Sequence, residues 1–225
     1  FSDIDLLLLY PWKVTPYVET VTDAILYPLW DAGLQVGHAM RNVRESARWA
    51  ARDLKAKTAI LDARYLCGDE SVFTEFDAAM REHVWSANQA GFIKEKLAES
   101  VERHRHAGDS IYLLQPQLKD GKGGLRDLHT ALWMAKVRFR VRTMRELVAC
   151  NVLAEREVAD LEPAIDFLFR IRNGMHFLAQ GHQDLLTFEC LGQLASRFGF
   201  GDGPSGREAF MRDYYRAATT ADRVS

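Results

Sequence analysis

Phe1-Ser2-Asp3-Ile4-Asp5-Leu6-Leu7-Leu8-Leu9-Tyr10 is the stretch that decides how the rest of the chain is read. Side chains alternate faces along an extended strand, so Asp3 and Asp5 point the same way. Ile4 and residues 6–9 form a continuous apolar run, the pattern of a strand buried on both faces. Two carboxylates at the open end of such a strand repel each other unless something positive sits between them. Hard oxygen ligands of this kind suit a divalent cation that also grips substrate phosphates. The plainer reading leaves the acids solvated at a strand end, or paired with Arg41 or Arg44.

The next elements follow from local signals. Thr15 reads as an N-cap with Pro16 at the first helical position, opening a helix through Val18, Val21, Ile25 and Leu29. Pro28 is expected to kink or split it, and Gly33 to close it. Residues 34–41 alternate well enough for a second strand. Asn42 with Glu45 three residues on makes a capping-box pattern for a long helix from Val43 to about Cys67. Beyond Gly68 helical periodicity dominates, with segments at 71–107, 125–149, 155–180 and 206–224. Residues 201–206 read as a turn between helices. The chain is therefore expected to hold an α/β part over 1–70 and a helical bundle over 71–225.

Composition narrows the function classes. The 225 residues are 48% hydrophobic and 27% charged, with a formal net charge of -2, so no bulk attraction to nucleic acid or an anionic membrane is expected. No apolar run reaches the roughly eighteen residues of a membrane span, and no signal peptide is visible. Cys67, Cys150 and Cys190 are odd in number and lack CxxC spacing, which speaks against a disulfide framework or a zinc site and for a reducing, cytoplasmic location. The first residue is Phe and the strand begins almost at once, so the natural protein is expected to continue upstream.

A second constellation lies at Gln115-Pro116-Gln117-Leu118-Lys119-Asp120-Gly121-Lys122-Gly123-Gly124-Leu125-Arg126-Asp127-Leu128, where a Lys- and Gly-rich loop enters a helix. Glycines free backbone N–H groups and a helix start adds partial positive charge, so the loop can seat a phosphate with help from Lys119, Lys122 and Arg126. An ordinary glycine loop whose Asp127 favours the helix dipole fits equally well. Arg172 and His176, one turn apart, can meet a nucleotide or close a polar network against Asp184, the network being favoured. Arg138, Arg140, Arg142 and Arg145 read as a solvated or ion-paired surface, and Tyr214 and Tyr215 as packing residues with polar tips outward. His38 can sit near the acids, though a structural histidine is the commoner outcome.

Taken together, residues 2–9, 30–38 and 119–128, followed by Phe167-Leu168-Phe169-Arg170-Ile171-Arg172-Asn173, Leu185-Leu186-Thr187-Phe188 and Phe210-Met211-Arg212-Asp213-Tyr214-Tyr215-Arg216, resemble the bacterial PII uridylyltransferase/uridylyl-removing family along the whole chain. The resemblance implies an α+β fold, a partial polymerase-β-like nucleotidyltransferase palm followed by a mainly α-helical bundle. It implies transfer of UMP from UTP to a tyrosine of the small trimeric PII nitrogen-signalling protein, with pyrophosphate released and glutamine as the nitrogen signal. Asp3 and Asp5 match the family's Mg-binding pair, and Ser2, Lys119, Gly123, Gly124 and Arg126 fall to the nucleotide.

Three departures accompany the match. The superfamily's glycine turn upstream of the acids is missing, a third carboxylate has no counterpart in residues 34–41, where Gly37 and His38 stand, and the family's downstream hydrolase and regulatory domains lie outside these residues. The chain alone is therefore expected to be inactive. The competing reading is a noncatalytic nucleotide-sensing or protein-interaction module of the same fold, and a related adenylyltransferase stays open.

Overall fold

A computed structural model describes residues 3–225, so Ser2, assigned above to the nucleotide, lies outside the described residues. The chain divides into two compact units, one reaching to Ala90 and the other Gly91–Ser225. The first unit thus continues past residue 70, because helix 70–80 contributes Phe76 and Met80 to its apolar core.

In the first unit, strand β1 (Ile4–Leu9) is followed by helix α1 (Pro16–Asp31), strand β2 (Val36–Arg41) and helices α2 (Val43–Arg52), α3 (Leu54–Leu61) and α4 (Glu70–Met80). A π-helical turn, Arg81–Trp85, extends α4. The local signals act as expected at three places. Thr15 Oγ1 accepts from the Val18 N–H with Pro16 at the helix start. Gly33 takes a left-handed φ of 76°. Asn42 and Glu45 complete a reciprocal capping box at α2. Pro28, by contrast, neither splits nor ends α1, which runs through it to Asp31.

The expected helix from 43 to about 67 is two helices. Asp53 leaves helical geometry, with ψ of 120°, and its carboxylate takes the Ala56 N–H, so it caps α3 as α2 ends.

β1 and β2 pair in parallel, from Ile4 beside Val36 to Leu9 beside Arg41, with α1 as the crossover. Leu7 and Leu9 pack on a core of Val43, Ala50, Ile60, Phe76, Met80 and Val84. The leucine run is half-buried rather than buried, because among the described residues the sheet has two strands. The Tyr10 hydroxyl donates to Glu45 at 2.7 Å, tying the end of β1 to the start of α2.

The second unit is built from α5 (Gln89–Ala107, entering from the first unit), α6 (Leu125–Phe139), the short α7 (Glu146–Ala149), α8 (Glu155–Ala179), α9 (Phe188–Arg197) and α10 (Gly203–Val224). The 71–107 and 125–149 segments are therefore each interrupted. α9 falls outside the expected segments, although Thr187 caps it by accepting from the Cys190 N–H. α10 begins inside the expected turn, with Pro204 in its first turn. Its apolar stripe of Phe210, Tyr214, Ala217, Ala218 and Ala221 packs with Leu161, Leu168, Ile171 and Met175 of α8 and with Leu191 and Leu194 of α9. Tyr214 is wholly inside rather than polar tip outward, and burial pushes its hydroxyl above the ordinary phenol range. Tyr215 does reach a polar partner, donating to the Leu113 carbonyl at 3.0 Å. Among the described residues no helix is long and apolar enough to cross a membrane.

Candidate active site

Alternation along β1 sets Asp5 on the face shared with Leu7 and Leu9, Asp3 stands immediately before the strand, and both acids are exposed. Packing of half-buried Leu7 and Leu9 on the core anchors that register, because a one-residue slip would turn both leucines to the other face. Asp5 stands beside Gly37 of β2. Its carboxylate lies over that glycine, so close that a Cβ there would come within 2.9 Å of Asp5 Oδ1.

His38 is paired with Leu6 and so faces away from the acids, its ring 5.8 Å from that of Trp30. Arg41, paired with Leu9, sits four residues further along, about 13 Å at the usual strand rise. Its guanidinium lies 4.3 Å over the Trp49 ring rather than on the acids.

The donor set fits a small hard cation. Two exposed carboxylates, Asp5 on β1 and Asp3 just before it, are the kind of hard oxygen donor of which Mg²⁺ takes one or two while waters and phosphates complete its shell. Among the described residues no three His, Cys, Asp or Glu groups gather into a closed cage.

The glycine loop belongs to the second unit and is described there by itself. Most of its amides are occupied from within. Gln117 Oε1 accepts from the N–H groups of Lys119 and Asp120, both at 2.9 Å. The Gly121 N–H meets the Gln117 carbonyl, the Gly124 N–H meets the Gly121 carbonyl, and those of Leu125 and Arg126 meet the carbonyls of Leu118 and Lys119. The Gly123 N–H is taken by the protein itself, since Asp127 Oδ2 accepts from it at 2.8 Å. Asp127 is 3% exposed, and its Oδ1 also receives Arg103 at 2.7 Å and His104 Nε2 at 2.8 Å.

The glycines serve close packing. A Cβ at Gly123, whose φ is 70°, would sit 2.3 Å from the Ala218 carbonyl oxygen of α10, and one at Gly124 would sit 2.7 Å from two loop carbonyls. Lys119 and Arg126 are half-buried, the Arg126 guanidinium 5.7 Å from the Trp133 ring.

The loop is pinned from its other side by a short antiparallel bridge, Gln117 with Leu185, where the Leu118 N–H donates to the Asp184 carbonyl at 2.8 Å. Asp184 closes the network anticipated with α8. Arg172 Nε donates to it at 2.6 Å, and His176 Nε2 lies 3.4 Å away. Burial alone would raise the Asp184 carboxyl, but the Arg172 hydrogen bond and charge, with help from His176 and Lys119, hold it below the usual carboxylate value. Burial draws His176 below its usual value despite the opposing pull of Asp184. Arg145 pairs with Glu162 and Arg138 lies over Phe139, so those arginines form an ordinary surface.

The Asp127 network has no signal in the sequence pattern. Arg103 and His104 lie more than twenty residues from Asp127, and nothing in the local pattern joins them.

A small parallel strand pair with two acids at its mouth, followed by a larger helical unit, defines a helix-rich α+β protein. The chain belongs to the GlnD PII-uridylyltransferase family, whose model matches residues 91–225. It is 45% identical over 219 residues to the bifunctional uridylyltransferase/uridylyl-removing enzyme of Nitrobacter hamburgensis, covering 96% of this chain and 24% of that protein. The enzyme of the same description from Rhodospirillum rubrum is 44% identical over 221 residues, 97% of this chain and 24% of its own length. The chain thus spans about a quarter of the length of the curated relatives it matches. No solved structure matches it.

Proposed function

We propose that these residues form the nucleotidyltransferase part of a PII uridylyltransferase, moving UMP from UTP to a tyrosine of the PII protein and releasing pyrophosphate. The observation that carries this reading is the exposed pair of acids at the start of β1, Asp5 within the strand and Asp3 just before it, in a chain 45% identical over nearly its whole length to a bifunctional uridylyltransferase/uridylyl-removing enzyme. In this reading β1, α1, β2 and α2 are part of a polymerase-β-like palm, and the second unit is its helical companion domain.

Asp3 and Asp5 would hold Mg²⁺, which when bound neutralises the triphosphate and draws electron density from its phosphorus. The protein's own contribution is placement. β1 fixes the Asp5 carboxylate in register through half-buried Leu7 and Leu9, with Asp3 just before it, and Gly37 leaves Asp5 its space. The tyrosine oxygen attacks the α-phosphorus, the bond to the bridging oxygen of pyrophosphate breaks, and the hydroxyl proton passes to solvent.

Gly123 and Gly124 act in packing rather than as a phosphate cradle, since their N–H groups and space are taken from within. Glutamine would regulate the full-length protein. The free cysteines, two of them exposed, accord with a reducing cytoplasmic setting.

A noncatalytic sensing module is the second reading, favoured by Gly37 where the superfamily's third carboxylate is expected. Incubation of the full-length protein with PII, Mg²⁺ and α-labelled UTP or ATP separates the two. Labelling of PII from UTP alone supports the proposal. Nucleotide binding without transfer supports the module, and transfer from ATP would reassign the base.

A further inference from the structure

Glycine is an unfavourable choice inside a strand, because it loses more freedom on folding than alanine and packs nothing. Gly37 lies within β2 and is exposed. It is not among the glycines with positive φ, so its backbone conformation is one that any residue can adopt. What its missing side chain provides is room. A Cβ at position 37 would meet Asp5 Oδ1 at 2.9 Å, with the Ile4 carbonyl oxygen next at 4.0 Å. Nonbonded carbon contacts settle near 3.5–4.0 Å, so a side chain at 37 and the Asp5 carboxylate cannot both keep their places.

The atom that must yield is the far end of a side chain, not backbone. Alanine at 37 would therefore be accommodated by swinging the carboxylate aside, with the strand intact. We propose that Gly37 is a positioning residue, keeping clear the space in which the Asp5 carboxylate lies against β2 and, with Asp3, meets a divalent cation. The proposal rests on the reading of Asp3 and Asp5 as cation ligands.

Mn²⁺ binding to the full-length protein, followed through the paramagnetic resonance signal of the free ion, tests it without relying on turnover. The binding lost in Asp5→Asn defines the site. Gly37→Ala is expected to keep the wild-type melting temperature and to weaken Mn²⁺ at that site about 10–100-fold, the usual effect of disturbing what orients a metal ligand. Half-maximal transfer should require correspondingly more Mg²⁺. His38→Ala, on the opposite face, should leave the affinity unchanged.

Wild-type Mn²⁺ affinity in Gly37→Ala overturns the proposal, as does an equal loss in His38→Ala. Failure of both Gly37→Ala and Gly37→Ser to fold also overturns it, because glycine would then serve the backbone. If Asp5→Asn itself leaves all Mn²⁺ binding intact, the cation-ligand reading fails first and is identified as the failure.

Discussion

Replacing Asp127 with alanine should be the most damaging single change in the second unit. The carboxylate is 3% exposed and serves the Arg103 guanidinium at 2.7 Å, the Gly123 N–H at 2.8 Å and His104 Nε2 at 2.8 Å, with Ser100 at the 3.5 Å limit. Without it Arg103, whose side chain is 12% exposed, keeps the Asp120 carbonyl at 3.0 Å and Ser100 at 2.8 Å. Its buried Nε already has no acceptor among the described residues. Removing one member of a buried pair strands the other charge and costs about 3–5 kcal/mol. The stranded Gly123 N–H belongs to the same loss and is not counted again.

Asp127→Asn keeps one acceptor oxygen and forfeits the charge, so it should cost about 1.5–3 kcal/mol, the worth of a hydrogen bond to a charged group. Urea unfolding followed by far-UV circular dichroism and tryptophan fluorescence gives both values. A loss below about 1 kcal/mol in Asp127→Ala, or a greater loss in Asn than in Ala, would refute the assignment of this carboxylate as the loop's internal anion.

Two further expectations concern the same unit. Gly123→Ala combines a left-handed φ with a Cβ 2.3 Å from the Ala218 carbonyl oxygen, and should destabilise by about 2–5 kcal/mol in the same unfolding assay. A wild-type midpoint would show that the loop and α10 do not pack as described. His176 has a folded value depressed below its ordinary 6.5 and Asp184 one depressed below 3.8. Both therefore contribute stability that is present above those ordinary values and lost as pH falls. Stability should decline in two stages, first below about pH 6.5 and again below about 3.8, and His176→Gln should remove the first; an unchanged profile in that variant would sink the assignment.

Legibility in the sequence followed the range of the forces. Thr15 with Pro16, Gly33, and Asn42 with Glu45 act within one turn of chain, and each stands where it was read. Asp53 and Thr187 carry equally local capping signals that the wider pattern hides, because apolar periodicity continues across the first and a loop precedes the second. Arg172 with Asp184 was readable since helix geometry and a short return bring them together. The orientation of His38 depends on its pairing with Leu6, a matter of register between strands that alternation alone does not fix. The glycine loop looked like a phosphate cradle because its composition is that of one. What fills it, Asp127 held by Arg103 and His104, comes from packing between α5 and α6.

The acid pair bears the account's central claim, and transfer of labelled UMP from UTP to PII by the full-length protein carrying Asp3→Asn and Asp5→Asn tests it most directly. With wild-type folding verified by thermal melting, the double variant should lose essentially all Mg²⁺-dependent labelling. Labelling at the wild-type rate would contradict the claim and leave the two acids as an ordinary solvated strand end.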